Sequence, residues 1–102
     1  MTFFYGCRII TAMKTYYYIV QGRVQGVAFR YYTCQAARDY HITCTVKNLY
    51  NGDVEVYAQG NPDHIAQFEE FLHRGPRSAY VTQLLKEERE MNPVFNDFRV
   101  IY

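Results

Sequence analysis

The sequence predicts an α+β fold, an antiparallel sheet with two helices on one face, in the split βαβ or ferredoxin-like sandwich arrangement. Three observations predict it. Short stretches of alternating hydrophobicity recur along the chain, two segments carry apolar residues at helical spacing, and Gly, Asn and Pro mark the junctions. A chain of 102 residues, 49% of them hydrophobic, can build one core and is no disordered polyelectrolyte.

Lys14 to Gln21 reads as the first strand, with Tyr16, Tyr18 and Val20 on one face and Tyr17 and Ile19 on the other. Three consecutive tyrosines cannot all point inward, so at least one ring is expected on the opposite face. Gly22 and Gly26 bracket Arg23-Val24-Gln25, and a helix is expected from about Ala28 to Tyr40. Phe29, Thr33, Ala36 and Tyr40 share its apolar stripe, supported by Tyr32 and Ala37. Thr43 to Leu49 reads as the second strand. Asn51-Gly52 tolerates positive φ and turns the chain into a third strand, Asp53 to Gln59, whose Val54, Val56 and Ala58 face one way.

Gly60-Asn61-Pro62 opens the second helix, with Asn61 as N-cap, Pro62 at the first helical position and Asp63 in the acidic first turn. Ile65, Phe68 and Leu72 form its buried stripe with Phe71 beside them, and Gly75-Pro76 stops it. A fourth strand is expected from Ala79 to about Glu88 on Val81, Leu84 and Leu85. Phe98 to Tyr102 reads as a short fifth strand, with Phe95 either in it or in the loop before it. Residues 1–13 read as an N-terminal extension, in which Phe3, Phe4, Tyr5, Ile9 and Ile10 fit an added strand or a hydrophobic flap. Residues 14–102 are the expected domain.

Lys and Arg total 11 and Asp and Glu total 10, a formal net charge of +1. That balance argues against broad electrostatic binding of nucleic acid or an anionic membrane, while a small local anion site remains open. Apolar runs are far shorter than a membrane span, and no basic segment precedes a continuous apolar stretch. Cys7, Cys34 and Cys44 are an odd set with no Cys-x-x-Cys pair, which points to a reducing compartment. A cytoplasmic monomer is expected. Cys34 and Cys44 read as packing residues, and His41, His64 and His73 lack metal-ligand spacing, so no metal is expected. Lys86-Glu87-Glu88-Arg89-Glu90 reads as a solvated strand end or loop.

The most unusual stretch is Gly22-Arg23-Val24-Gln25-Gly26-Val27-Ala28-Phe29-Arg30, where a strand turns into a helix. Glycines let backbone approach an anion, and a helix start supplies unpaired N–H groups and a positive dipole end. Arg30 on the opening turn can fork onto phosphate oxygens. On physics alone an ordinary turn with a solvent-facing arginine fits these residues equally well. The Lys-Ser/Thr ending of a P-loop is absent, and so is the Gly-x-Gly-x-x-Gly spacing. Asn48 is the second candidate, because its amide offers both donor and acceptor and can orient a neutral water. The plainer reading has Asn48 bonding the hairpin at Leu49-Tyr50-Asn51-Gly52.

These residues resemble the acylphosphatase family in its small single-domain form. Val20-Gln21-Gly22-Arg23-Val24-Gln25-Gly26-Val27-Ala28-Phe29-Arg30 matches the first family signature throughout, and Val46-Lys47-Asn48 with Gly52, Val54 and Gly60 follows the second. Gly75-Pro76-Arg77-Ser78-Ala79 and Asp97-Phe98-Arg99-Val100 resemble later segments. The resemblance implies hydrolysis of acyl phosphates with no cofactor and no required metal. It assigns phosphoryl binding to Arg30, water positioning to Asn48, and the phosphate cradle to the amides of Gln25, Gly26, Val27, Ala28, Phe29 and Arg30. The implied partners are a small acyl phosphate and, in the loop, phosphate or another oxyanion.

Two positions depart from the pattern. Cys44-Thr45 stands where the family usually has glycine and an aromatic, and His41 stands where glycine commonly follows the first helix. Both bear on the path into the second strand. Two other readings use the same scaffold. One is an RNA-binding or protein-interaction module that stacks bases on Tyr17 and Tyr57 of an open sheet face, and the other is an acyl-phosphate sensor that binds without turnover.

Overall fold

A computed structural model of the chain describes residues 13–90 and 99–101. Its elements are β1 (Lys14–Arg23), α1 (Phe29–Asp39), β2 (Thr43–Asn48), β3 (Val54–Gly60), α2 (Pro62–Arg74), β4 (Tyr80–Arg89) and β5 (Arg99–Ile101). Residues 1–12 of the expected extension, Phe95, and the ends Phe98 and Tyr102 of the expected last strand lie outside the described residues.

The strands form one sheet in the order β4-β1-β3-β2-β5. The first four pair antiparallel, and the two helices cover one face, as the alternation of the strands demands. β5 joins the edge parallel to β2, with Thr45 opposite Arg99 and Lys47 opposite Ile101. Tyr18, Val20, Val46, Val54, Val56 and Ala58 point from the sheet into the core, where they meet Phe29, Ala37, Ile65, Phe68 and Leu72. Tyr17 occupies the other face, as three consecutive tyrosines required.

Element ends differ from expectation in instructive places. β1 runs two residues further, because a bulge between Gln21 and Gly22 lets its pairing with β4 continue to Arg23 opposite Tyr80. Gly22 has φ 125°, and a Cβ there would lie 2.1 Å from the Tyr80 carbonyl oxygen, so the close approach of β4 requires glycine. Tyr32, expected to support the buried stripe of α1, is exposed, whereas Tyr40 packs against the core. Edge strand β4 is mostly exposed, which explains its poor alternation. The charged run from Lys86 forms its solvated end.

Helix ends follow local chemistry. The Asn61 side chain accepts a hydrogen bond from the Asp63 N–H at 2.8 Å, and Pro62 opens α2. The Gly75 N–H closes α2 on the Phe71 carbonyl. After α1 the Ile42 N–H bonds the Ala37 carbonyl at 2.7 Å and the His41 N–H bonds the Arg38 carbonyl at 3.3 Å. This is a Schellman ending, and it places His41 at the left-handed position with φ 58°. A side chain there strains the backbone where glycine would not.

Tyr18 joins the two layers. Its hydroxyl donates to Glu69 Oε2 on α2 at 2.8 Å, and Lys86 of β4 pairs with the same carboxylate while its Nζ lies 4.3 Å from the Tyr16 ring centroid. Burial, then the bond to Glu69, holds the Tyr18 phenol far above its ordinary value of 10.0.

Two outcomes follow from these contacts. His41→Gly is expected to raise unfolding stability by about 1 kcal/mol, read from urea denaturation, because it relieves the left-handed strain. An unchanged midpoint contradicts that reading. The unfolded chain ionises Tyr18 near its ordinary value while the folded chain keeps the proton, so stability falls as pH rises above about 10. Tyr18→Phe is expected to flatten that alkaline fall in melting temperature, and an equally steep fall would contradict the assignment.

Candidate active site

The sheet register sets up the site. Val20 of β1 and Asn48 of β2 both pair with Val54, the first residue of β3. β1 and β2 therefore run the same way, lie two strand spacings apart, about 10 Å, and stand level at Val20 and Asn48, beyond which β1 continues to Arg23. The loop leaving β1 and the side chain ending β2 meet across the start of β3.

That loop, residues 24–28, is a folded structure in its own right. Val24 is buried and anchors it, and Gly26 has φ 74°. Ala28, the N-cap residue of α1, is also left-handed at φ 60°, ψ 25°, with no side-chain capping bond. Such turns point successive N–H groups to one side, the geometry of an anion-binding concavity. The first bond of α1 runs from the Tyr32 N–H to the Ala28 carbonyl. Among the described residues, no protein acceptor takes the backbone N–H groups of Gln25, Gly26, Val27, Ala28 or Phe29.

The loop is tied down on two sides. Gln25 Nε2 donates to the Leu49 carbonyl at 2.7 Å and to the Asp53 carbonyl at 2.8 Å, which clamps the loop to the β2–β3 turn. On the other side Ser78 Oγ donates to the Val27 carbonyl at 3.2 Å. The turn itself closes through the Leu49 N–H to the Asp53 carbonyl and the Gly52 N–H to the Leu49 carbonyl.

Arg30 and Asn48 open onto one cleft of about 260 Å³, lined also by Val24, Gly26, Ala28, Phe29 and Tyr31. The Oδ1 atom of Asn48 is buried and accepts no hydrogen bond from the protein. Asn48 is therefore not spent on bonding the hairpin below it. It also borders a neighbouring hollow of about 490 Å³ between Gln25, Lys47, Leu49 and Tyr50.

The loop residues 25–30 and Asn48, named from the sequence as the phosphate and water candidates, thus sit at one end of the sheet. Gly26, Ala28, Phe29, Arg30 and Asn48 line the cleft, Gln25 lines the neighbouring hollow, and Val27 lines neither. Sequence reasoning missed the side chain of Gln25 as the clamp, and it missed Val24 and Tyr31 as cleft walls. Only their place in the loop and first helical turn pointed to them.

The sequence profile of the acylphosphatase family matches residues 16–100. The chain belongs to the acylphosphatase family. An acylphosphatase from Vibrio parahaemolyticus is 44% identical over 84 residues, covering 82% of this chain and 92% of that protein. The solved acylphosphatase from Coxiella burnetii superimposes with a TM-score of 0.87 at 36% identity, covering 92% of this chain and 98% of that one. The Bacillus subtilis acylphosphatase gives 0.83 at 32% identity, over 87% and 99% of the two chains. Acyl-phosphate hydrolysis is the activity this membership supports.

The departures from the acylphosphatase pattern leave the two key side chains on their common cleft. His41 takes the left-handed turn where glycine is usual, and Cys44 lies fully buried beneath α1. Among the described residues no group of three His, Cys, Asp or Glu side chains is arranged to hold a metal ion, and no helix is long and apolar enough to cross a membrane.

Gln25→Ala removes two bonds and leaves two carbonyls to find other donors. It is expected to cost about 1–3 kcal/mol in urea denaturation. Wild-type stability would mean that the clamp does not hold the loop.

Proposed function

We propose that the chain hydrolyses acyl phosphates by in-line attack of water that Asn48 positions, on a phosphoryl group held by Arg30 and the amides of residues 25–30. The observation that carries this reading is the buried, unbonded Asn48 Oδ1 on the same cleft as a loop of undonated N–H groups. One water O–H donates to that oxygen, which turns a lone pair of the water toward phosphorus. The loop amides and the Arg30 fork bind the nonbridging oxygens, whose charge they stabilise throughout the reaction.

The leaving group is a carboxylate with a weakly basic oxygen. It departs without a general acid, so neither a histidine nor a metal is needed at the P–O bond as it breaks. Positioning and charge stabilisation are then the whole of the task, through a loose phosphoryl-transfer state. Proton loss from the water follows, to phosphate or solvent. The hollow beside Asn48 gives space at the mouth of the cleft for a small molecule.

The RNA-binding reading fares worse. Tyr17 and Tyr57 do share the open sheet face, but their rings lie 4.7 Å apart and Arg89 sits 4.4 Å from the Tyr17 centroid. The Tyr17 hydroxyl donates to Glu55 at 3.0 Å, and Glu87 binds Arg89. Rings already packed together beside two carboxylates make a poor platform for a polyanion.

Steady-state hydrolysis of benzoyl phosphate, with and without EDTA, tests the proposal. Turnover is expected to be unchanged by the chelator. Arg30→Lys keeps the charge and loses the fork, and a large loss of phosphate affinity and rate is expected. Asn48→Ala is expected to lower kcat by roughly 10²-fold or more with the fold retained. Wild-type rates in either variant overturn that residue's role, and phosphate binding without turnover in the wild type would favour a sensor.

A further inference from the structure

A separate hollow of about 500 Å³ lies where α1 meets the end of α2, lined by Tyr32, Phe71, Arg74, Pro76, Arg77 and Ser78. No acidic side chain lines it. Arg74 and Arg77 are exposed, and among the described residues neither makes a hydrogen bond or an ion pair with the protein. The cations along the edge strand differ, since Lys14, Lys86 and Arg89 each pair with a glutamate. The carbonyl end of α2 brings roughly half a negative charge to this place, and the Gly75 N–H already takes the Phe71 carbonyl. Two unpaired guanidiniums outweigh that fraction, so the hollow attracts anions.

Its walls also touch the phosphate loop. The Pro76–Ala79 turn closes through the Ala79 N–H to the Pro76 carbonyl at 2.9 Å, with Arg77 and Ser78 as its two central residues. The same Ser78 donates through Oγ to the Val27 carbonyl of the loop at 3.2 Å. Behind them Phe29, a wall of the cleft, has its ring centroid 6.3 Å from that of Phe71. One turn thus carries both a free cation of the hollow and a tether of the cradle.

We infer that this hollow is a second anion site, distinct from the cleft, for a phosphate monoester that carries a flat ring, and that its occupant acts on the cradle through Ser78. Tyr32 supplies the surface for the ring: it is 42% exposed despite its place on an amphipathic helix, and an edge contact with Tyr31 at 5.2 Å holds it. Arg74 and Arg77 supply planar forks for the phosphate oxygens, and their two charges match a phosphate dianion better than a single carboxylate. The volume falls within the range of about 300–1,000 Å³ typical of small-molecule pockets, which suits a mononucleotide. A ligand that pins Arg77 also steadies the turn that holds Ser78 against Val27, so the loop amides are better fixed for substrate.

The test titrates AMP, phenyl phosphate and inorganic phosphate into the ¹⁵N-labelled full chain, beside calorimetry and the benzoyl phosphate assay. Expected is saturable binding of AMP and phenyl phosphate, with shifts at Tyr32 and residues 74–79, where inorganic phosphate acts far more weakly for want of a ring. Tighter AMP identifies a mononucleotide site and tighter phenyl phosphate a smaller aryl phosphate site. Tyr32→Ala is expected to raise the Kd for AMP roughly tenfold, and Arg74→Gln with Arg77→Gln by about as much or more, both with the AMP-free rate of hydrolysis unchanged. Saturating AMP is expected to raise kcat/KM about fivefold or more, and Ser78→Ala to abolish that rise while AMP still binds. Absence of saturable binding at residues 74–79 overturns the inference. So does competitive inhibition that is equal in the wild type and the double arginine variant, because it places AMP in the cleft. Bound AMP with unchanged kcat/KM overturns the action through Ser78. The rate effect rests on the hydrolase reading, but the binding does not. A wild type with no turnover counts against that reading, while unmoved amides at 74–79 count against the hollow alone.

Discussion

The site depends on a shared register at Val54. β1 and β2 both pair with β3 and both reach their last core-facing residue opposite its first, so two distant stretches of chain end at the same height on the same side. A slip of one residue in either pairing would turn Asn48 to the open face and away from Arg30. The buried alternation of Val46, Val54, Val56 and Val20 opposes such a slip, because it would expose the same residues to water. Core packing and the geometry of the cleft are thus one constraint.

Within that frame the loop carries local strain. Gly26 and Ala28 both adopt left-handed backbone, and Ala28 does so without glycine's freedom. The loop is held by Val24 in the core, by the two bonds of Gln25 and by Ser78 reaching across from the segment after α2. Amides fixed in this way need no reorganisation when an anion arrives, which is what electrostatic stabilisation of phosphoryl transfer requires. The unbonded Oδ1 of Asn48 belongs to the same logic: a buried acceptor left unmatched costs stability, and water held for attack would satisfy it.

Much of the fold was legible in the residues. Alternation at Tyr16, Tyr18 and Val20 and at Val54, Val56 and Ala58, the Asn61 cap and the Gly75-Pro76 stop each report a local rule, and each element formed where its rule applied. The glycine-bracketed bend and Asn48 stood out for their chemistry, although sequence alone could not bring them to one cleft. What stayed hidden depends on tertiary neighbours. Gly22 is required by the approach of β4, and nothing near it in the chain announces that contact. The double bond of Gln25 depends on where the β2–β3 turn lies in space. Tyr32 fits a helical stripe by spacing and is nonetheless exposed.

All of this presupposes that the bend presents its peptide hydrogens to an oxyanion in common with Arg30 and Asn48. The most direct measurement is an NMR titration of the ¹⁵N-labelled chain with inorganic phosphate. Saturable shifts concentrated in the amides of residues 25–30 and the side-chain amide of Asn48 are predicted. Shifts spread over other surfaces, with those amides unmoved, would contradict it.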